Sequence, residues 1–277
     1  MALNMEVSGL IKMARTIRRD IIDISYHAEG PSHPGPALSI ADIVTALYFR
    51  VMNIDPNNPQ WEDRDRLVLS KGHACPAVYA ALAERDYFDK SWLTTIRKVG
   101  SRLQGHPDMN KTPGIDMTTG SLGNGLSLGL GIAHALKLRG VVGNVFVILG
   151  DGEMQEGMVW EAVLSAAALK ADNLIAIVDN NHLQSCGITD EIIPVEPLRP
   201  KWEAFGWNVY EVKGHDMEEL VTSLEMAKGF EGRPTVIIAH TVKGKGVSFM
   251  ENNNLWHQQI PTKEQYDTAM LELAEPG

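Results

Sequence analysis

The chain is poor in cysteine, in long apolar runs and in positive charge. Its two cysteines, Cys75 and Cys186, lie far apart in a sequence of 277 residues. They offer neither a disulfide framework nor a zinc-ligand spacing, which suits a reducing compartment. No segment approaches the ~18 consecutive apolar residues that a membrane-spanning helix needs. The opening stretch, "MALNMEVSGLIKMARTIRRDIIDI", has no uninterrupted apolar core of the kind a secretory signal carries. The formal net charge of -10 argues against a nucleic-acid partner and against an acidic membrane surface. No internal repeat and no low-complexity linker is visible. The expectation is one domain over residues 1–277, cytoplasmic, with no nucleic acid and no membrane among its partners.

What is present is an alternation of helix-like and strand-like segments. A hydrophobic content of 44% is enough for one large α/β core. Leu10, Ala14, Ile17, Ile21 and Ile24 recur at helical spacing and predict an amphipathic helix over about 6–27. A Gly/Pro loop, "GPSHPGPALS", is expected to precede a second helix over about 39–52. "RLVLS" reads as a short buried strand, and "KGHACPAVYAALAE" as a loop entering a helix. "NVFVILG", "NLIAIVDNN", "GWNVYEVKG" and "PTVIIAHTV" read as further strands, with helices between them. This pattern predicts an α/β fold, a parallel central sheet flanked by helices on both faces. One long irregular stretch, "GHPDMNKTPGIDMTTGSLGNG", interrupts it, and loops beyond ~12–15 residues in a compact domain are usually functional.

Ligands of open parallel sheets sit beyond the carboxyl ends of the strands. Two consecutive strands here end in polar groups, "VFVIL" in Gly150-Asp151-Gly152 and "LIAIV" in Asp179-Asn180-Asn181. The 27 residues between Gly152 and Asn180 leave room for one crossover helix, so the two ends should be neighbours. A carboxylate and a carboxamide placed together are hard oxygen ligands that suit Mg2+ with phosphate oxygens and water. Glycine lets backbone approach a phosphate closely. The bland alternative is that Asp151 caps a helix and Asn180-Asn181 form a turn.

GDG followed at this distance by NN is the thiamine-diphosphate motif. "SHPGPALSIADIVTALYF", "RDRLVLSKGHACPAVYAAL", "GHPD", "TTGSLGNGLSLGLGIA" and "KGKGVSFMEN" all resemble the N-terminal half of transketolases, in the same order. The resemblance covers nearly the whole chain. It implies a thiamine-diphosphate-binding fold and transfer of a two-carbon ketol unit from a ketose to an aldose, with the cofactor as electron sink. It also implies roles. Asp151 and Asn181 would bind Mg2+ (Ca2+ or Mn2+ able to substitute) with their side chains, and Leu183 with its backbone carbonyl. Gly152 and His73 would contact the diphosphate. Gly120, Ser121 and Leu122 resemble the loop packed against the aminopyrimidine end. His33 and His106 resemble histidines that bind the sugar. Glu156 resembles the acid lying between the two active sites of the dimer, and His257 falls near one of the family's cofactor histidines.

A complete transketolase is more than twice as long, and nothing here resembles its second domain. The resemblance therefore implies a split enzyme, whose partner is a separate transketolase C-terminal subunit. It implies an α2β2 assembly, sugar or sugar-phosphate substrates, and no activity alone. Three departures stand out. His182 replaces the glycine that usually follows Asn181, Trp160 stands where many members have histidine, and Gln258 replaces another glycine. They point to an unusual sugar. Competing readings are the α chain of a 2-oxo acid dehydrogenase, a deoxyxylulose-phosphate-synthase-like enzyme, and a docking protein without catalysis.

Overall fold

The computed structural model describes residues 4–274. Its elements are α1 (Val7–His27), α2 (Pro34–Ser39), α3 (Ala41–Ala46), β1 (Arg66–Leu69), α4 (Cys75–Glu84), α5 (Asn124–Arg139), β2 (Val145–Gly150), α6 (Gly157–Ala168) and β3 (Leu174–Asn180). A small hairpin, β4 (Leu183–Gln184) and β5 (Gly187–Ile188), follows, then α7 (Thr189–Ile192), α8 (Leu198–Ala204), β6 (Asn208–Lys213), α9 (Met217–Lys228), β7 (Thr235–His240) and α10 (Lys263–Glu272).

The main sheet has five strands in the order β1-β2-β3-β7-β6, and every pairing in it is parallel. Side chains alternate across it with the period of two that strands impose. Phe146, Ile148, Ile175 and Ile177 join one core with α1, α3, α4 and α9. Val145, Val147, Ala176 and Val178 join a second core with α5, α6 and α8. Helices thus cover both faces, as the strand pattern predicts. The apolar stripe of α1 is fully buried at Leu10, Ala14, Ile17, Ile21 and Ile24.

One boundary differs from the sequence expectation. The helical region after "GPSH" begins at Pro34, not near residue 39, because Pro34 and Pro36 occupy the first turn of α2. N–H groups there have no intrahelical acceptor, so proline costs nothing and its fixed φ favours the helix. The small-residue helix α5 lies very close to the sheet. A Cβ on Gly129 would stand 2.4 Å from Val147, and one on Gly125 2.3 Å from Ser70. Those glycines are packing positions that seat α5 and, with it, the loop before it.

Candidate active site

The carboxyl ends of β2 and β3 are neighbours, with Gly150 paired to Asp179 and the Asp151 N–H donating to the Asp179 carbonyl at 3.3 Å. Asp151 is 2% exposed. Its Oδ1 accepts from the Gly152 N–H at 2.7 Å and its Oδ2 from the Thr189 hydroxyl at 3.3 Å. Among the described residues no lysine or arginine forms an ion pair with it. Burial first, and repulsion from Asp179 second, push its carboxyl above the usual range, although the Lys71 charge and the His182 N–H both act to lower it. Asn181 is buried beside it. Its Oδ1 accepts from the Leu183 N–H at 3.0 Å, which leaves the oxygen's second lone pair free.

Beneath these groups lies a fully buried ion pair. Lys71, just past the end of β1, donates to Asp179, which also accepts from the hydroxyls of Ser39 and Thr241. Burial alone would raise the Asp179 carboxyl, but the Lys71 ammonium and the hydrogen bonds outweigh it and hold it low. Glu153 makes a second buried hub. It accepts from the Ser70 hydroxyl, from the Gly123 N–H at 2.8 Å and from the Gly150 N–H at 3.1 Å, joining three loops around one cavity. Lys243, 1% exposed, donates to the Leu183 carbonyl at 3.2 Å and to His257 Nδ1 at 2.9 Å. Burial, then the Lys71 charge, lowers its ammonium to about 8.

Lys71, Asp179, Glu153 and Lys243 have no role in the sequence reading. The signal was there for two of them. Lys71 directly follows the buried run of β1, and Asp179 ends the apolar run of β3, positions where a charge must find a partner.

Four histidines from distant motifs meet above this floor. His33 is 5.2 Å from His73, 6.3 Å from His106 and 5.6 Å from His257 between ring centroids. His73 and His257 are 5.1 Å apart. Burial, followed by neighbouring positive groups, depresses His33 to about 4 and His257 to about 3. His73 is also lowered, by burial and then Lys71. These rings are neutral near pH 7. His257 Nδ1 accepts from Lys243, so its proton sits on Nε2.

The four imidazoles, Asp151, Asn181 and both lysines line one cavity of about 340 Å3. Gly120, Leu122, Gly152, Glu156 and Leu183 line it too. Gly120 has φ 152°, and a Cβ there would stand 3.2 Å from the His106 ring. Glu156 is exposed at the mouth. Ser121 lies apart from its neighbours in the motif. It is exposed in a separate groove and accepts from Asn124 Nδ2 at 2.9 Å. The bland alternative fails in part: Asp151 does accept from the Gly152 N–H, but Asn181 faces the cavity, while Asn180 turns away to donate to Glu196 at 3.0 Å.

The three departures do not line this cavity. Trp160 donates to the Met154 carbonyl at 2.8 Å and stacks on Phe205. Gln258 is exposed. His182 is exposed with φ 61°, the left-handed region that favours glycine, which explains the residue the family usually places there.

Among the described residues, no three His, Cys, Asp or Glu side chains are arranged to hold a metal. The donor set fits a hard cation all the same. It offers a buried, unpaired carboxylate, a carboxamide oxygen and a backbone carbonyl, and it leaves the remaining positions to phosphate oxygens and water. Two buried lysines and the glycine turns suit a diphosphate.

A parallel sheet whose strand ends gather these groups defines a domain that binds a diphosphate-bearing cofactor. Residues 10–268 match the family model described as transketolase, thiamine diphosphate binding domain. The chain belongs to the transketolase family. It is 48% identical over 248 residues, 90% of each chain, to the 6-deoxy-6-sulfo-D-fructose transketolase subunit of Clostridium sp. (strain MSTE9). It is 42% identical over 272 residues, 98% of each chain, to an apulose-4-phosphate transketolase subunit of Actinobacillus succinogenes. The structure superposes on Campylobacter jejuni transketolase with a TM-score of 0.91 and 32% identity, covering 97% of this chain but 43% of that one. No helix among the described residues is long and apolar enough to cross a membrane.

Proposed function

We propose that this chain is a single-domain, cytoplasmic, N-terminal subunit of a split transketolase. In this reading it pairs with a separate C-terminal subunit to form α2β2, and moves a two-carbon ketol unit from a ketose to an aldose. The observation that carries the reading is the meeting of His33, His73, His106 and His257 over the Asp151–Asn181 floor. A structural domain has no need of four neutral imidazoles at the end of a cation-lined cleft.

Thiamine diphosphate, when bound, supplies the electron sink for breaking and re-forming a carbon–carbon bond beside a carbonyl. The chain's residues do the rest. Asp151 and Asn181, with the Leu183 carbonyl, hold Mg2+ against the diphosphate. Lys243 now donates to that carbonyl, so on loading it is free to turn its ammonium toward phosphate. The Gly152 turn and His73 contact the diphosphate, and Gly120 and Leu122, with Ser121 supporting the loop from outside, face the ring end. His33 and His106 bind sugar oxygens. Being neutral, they can accept a proton or return one at pH 7. His257, with its proton on Nε2, presents a donor toward the same space. Glu156 at the mouth faces the neighbouring protomer.

The substrates are sugars or sugar phosphates. The two relatives' names, with a sulfonate on one sugar and a phosphate on the other, choose the first donors to try. The test is a ketol-transfer assay with thiamine diphosphate and Mg2+ on this chain, on its C-terminal partner, and on the two together. Transfer by the pair alone is expected. Transfer by this chain alone contradicts the split-enzyme reading, and no transfer by the pair across sulfo-, phospho- and free ketoses contradicts the enzymatic one.

A further inference from the structure

Asn181 carries a side chain whose two ends differ only by O and NH2, and only the oxygen can hold a cation. Something must therefore fix which end faces the cavity. The Asn181 Nδ2 donates to Asp179 Oδ2 at 3.0 Å and to the Ser39 hydroxyl oxygen at 3.1 Å, both fully buried. Asp179 is held in turn by Lys71, Ser39 and Thr241. An ionised carboxylate accepts and never donates, so it takes the NH2 end of the amide and rejects the oxygen. The carboxamide oxygen is left on the side of Leu183.

We propose that Asp179, pinned by Lys71, is a positioning residue that orients the Asn181 carboxamide with its oxygen toward the cation site. It touches neither metal nor cofactor. It acts by forbidding the flipped amide, which would set NH2 against a cation. The proposal rests on the reading that Asp151 and Asn181 hold a divalent ion.

The test measures the Mg2+ concentration that half-saturates thiamine diphosphate binding, followed by tryptophan fluorescence in the complex with the C-terminal subunit. Asp179→Asn lets either end of residue 181 face inward. It should raise the Mg2+ requirement about 10- to 100-fold, the range found when partners of metal ligands are removed. The exchanged pair Asp179→Asn/Asn181→Asp conserves charge and makes residue 181 symmetric, with oxygen at either end. It should bring the requirement back to within about threefold of the parent, since no orientation is then needed. An unchanged requirement in Asp179→Asn overturns the proposal. So does a raised requirement that the exchanged pair fails to restore, because a purely structural loss would not be repaired by that swap. Should Asp179→Asn not fold, Ser39→Ala removes the other acceptor of the same NH2. A severalfold rise supports the proposal and no rise overturns it. Cofactor binding by the parent complex that ignores Mg2+ altogether is a separate result, which sinks the metal reading itself.

Discussion

Asp65 and Asp151 are equally buried, each 2% exposed, and both lie at ends of the same sheet. Asp65, just before β1, accepts from the Asn53 N–H and the Asn144 N–H, each at 2.7 Å, and pairs with Lys228 at 2.7 Å. Asp151, just after β2, accepts from the Gly152 N–H, from the His182 N–H and, at longer range, from the Thr189 hydroxyl; the Lys71 charge acts on it, but among the described residues no cation forms an ion pair with it. The protein completes the first carboxylate by itself. It leaves the second incomplete, and an incomplete buried charge is the mark of a group waiting for a ligand. The same contrast separates the two ends of the sheet: the amino ends are closed networks, and the carboxyl ends collect acids, lysines and imidazoles around open space.

Substitution can break that comparison. The largest effect expected is on binding. Asp151→Ala in the complex should weaken thiamine diphosphate by at least ~100-fold in the presence of Mg2+, measured by calorimetry. Its effect on the empty chain should run the other way. A carboxyl whose folded value is raised opposes folding at neutral pH, so its removal should leave the melting temperature unchanged or higher. Asp65→Ala should do the reverse: it strands Lys228 and two N–H groups and should cost about 3 kcal/mol in denaturant titrations. Cofactor affinity of the folded fraction should stay within about twofold. Equal behaviour of the two variants would erase the distinction.

A pH series sharpens the same contrast at the imidazoles. His33 is 9% exposed and titrates near 4 in the fold, against 6.5 when free. Between those values the unfolded chain binds the proton and the folded chain does not. Stability of the empty chain should therefore fall as pH drops from 6.5 to 4. At about 1.4 kcal/mol per pH unit, His33 contributes on the order of 3 kcal/mol to that fall. His33→Gln should remove that share of the fall and leave the shares of His73 and His257, whereas a slope unchanged by the substitution would place the titration elsewhere. The smallest effect concerns His182, exposed in the left-handed region. His182→Gly should raise stability by up to ~1 kcal/mol and leave Mg2+-dependent binding unaltered, whereas a change in sugar preference would return that residue to the site.

Much of this was legible in the residues. Strand-ending "GDG" and "DNN" announce adjacent polar ends, because β-strand periodicity and crossover length are local properties. The four histidines are found by motif, and their convergence is found only by folding, since they come from positions 33 to 257. The helical start at Pro34 was hidden because proline breaks interior turns but favours first ones. The pairing of Lys71 with Asp179 and of Glu153 with Ser70 escaped for a different reason: the charges stand beside strand ends in plain view, but these partners are tens of residues away or more. Trp160 differs from the usual residue, and what it touches is visible only in the fold, where it packs against Phe205.

The most direct measurement is a crystal of the complete complex grown with thiamine diphosphate and Mn2+, with anomalous scattering used to place the metal. The account predicts one peak bounded by the Asp151 carboxylate, the Asn181 carboxamide oxygen and the Leu183 carbonyl, with diphosphate oxygens filling its remaining positions. A bound cofactor with no peak there, or with those two side chains turned from the ion, would contradict it.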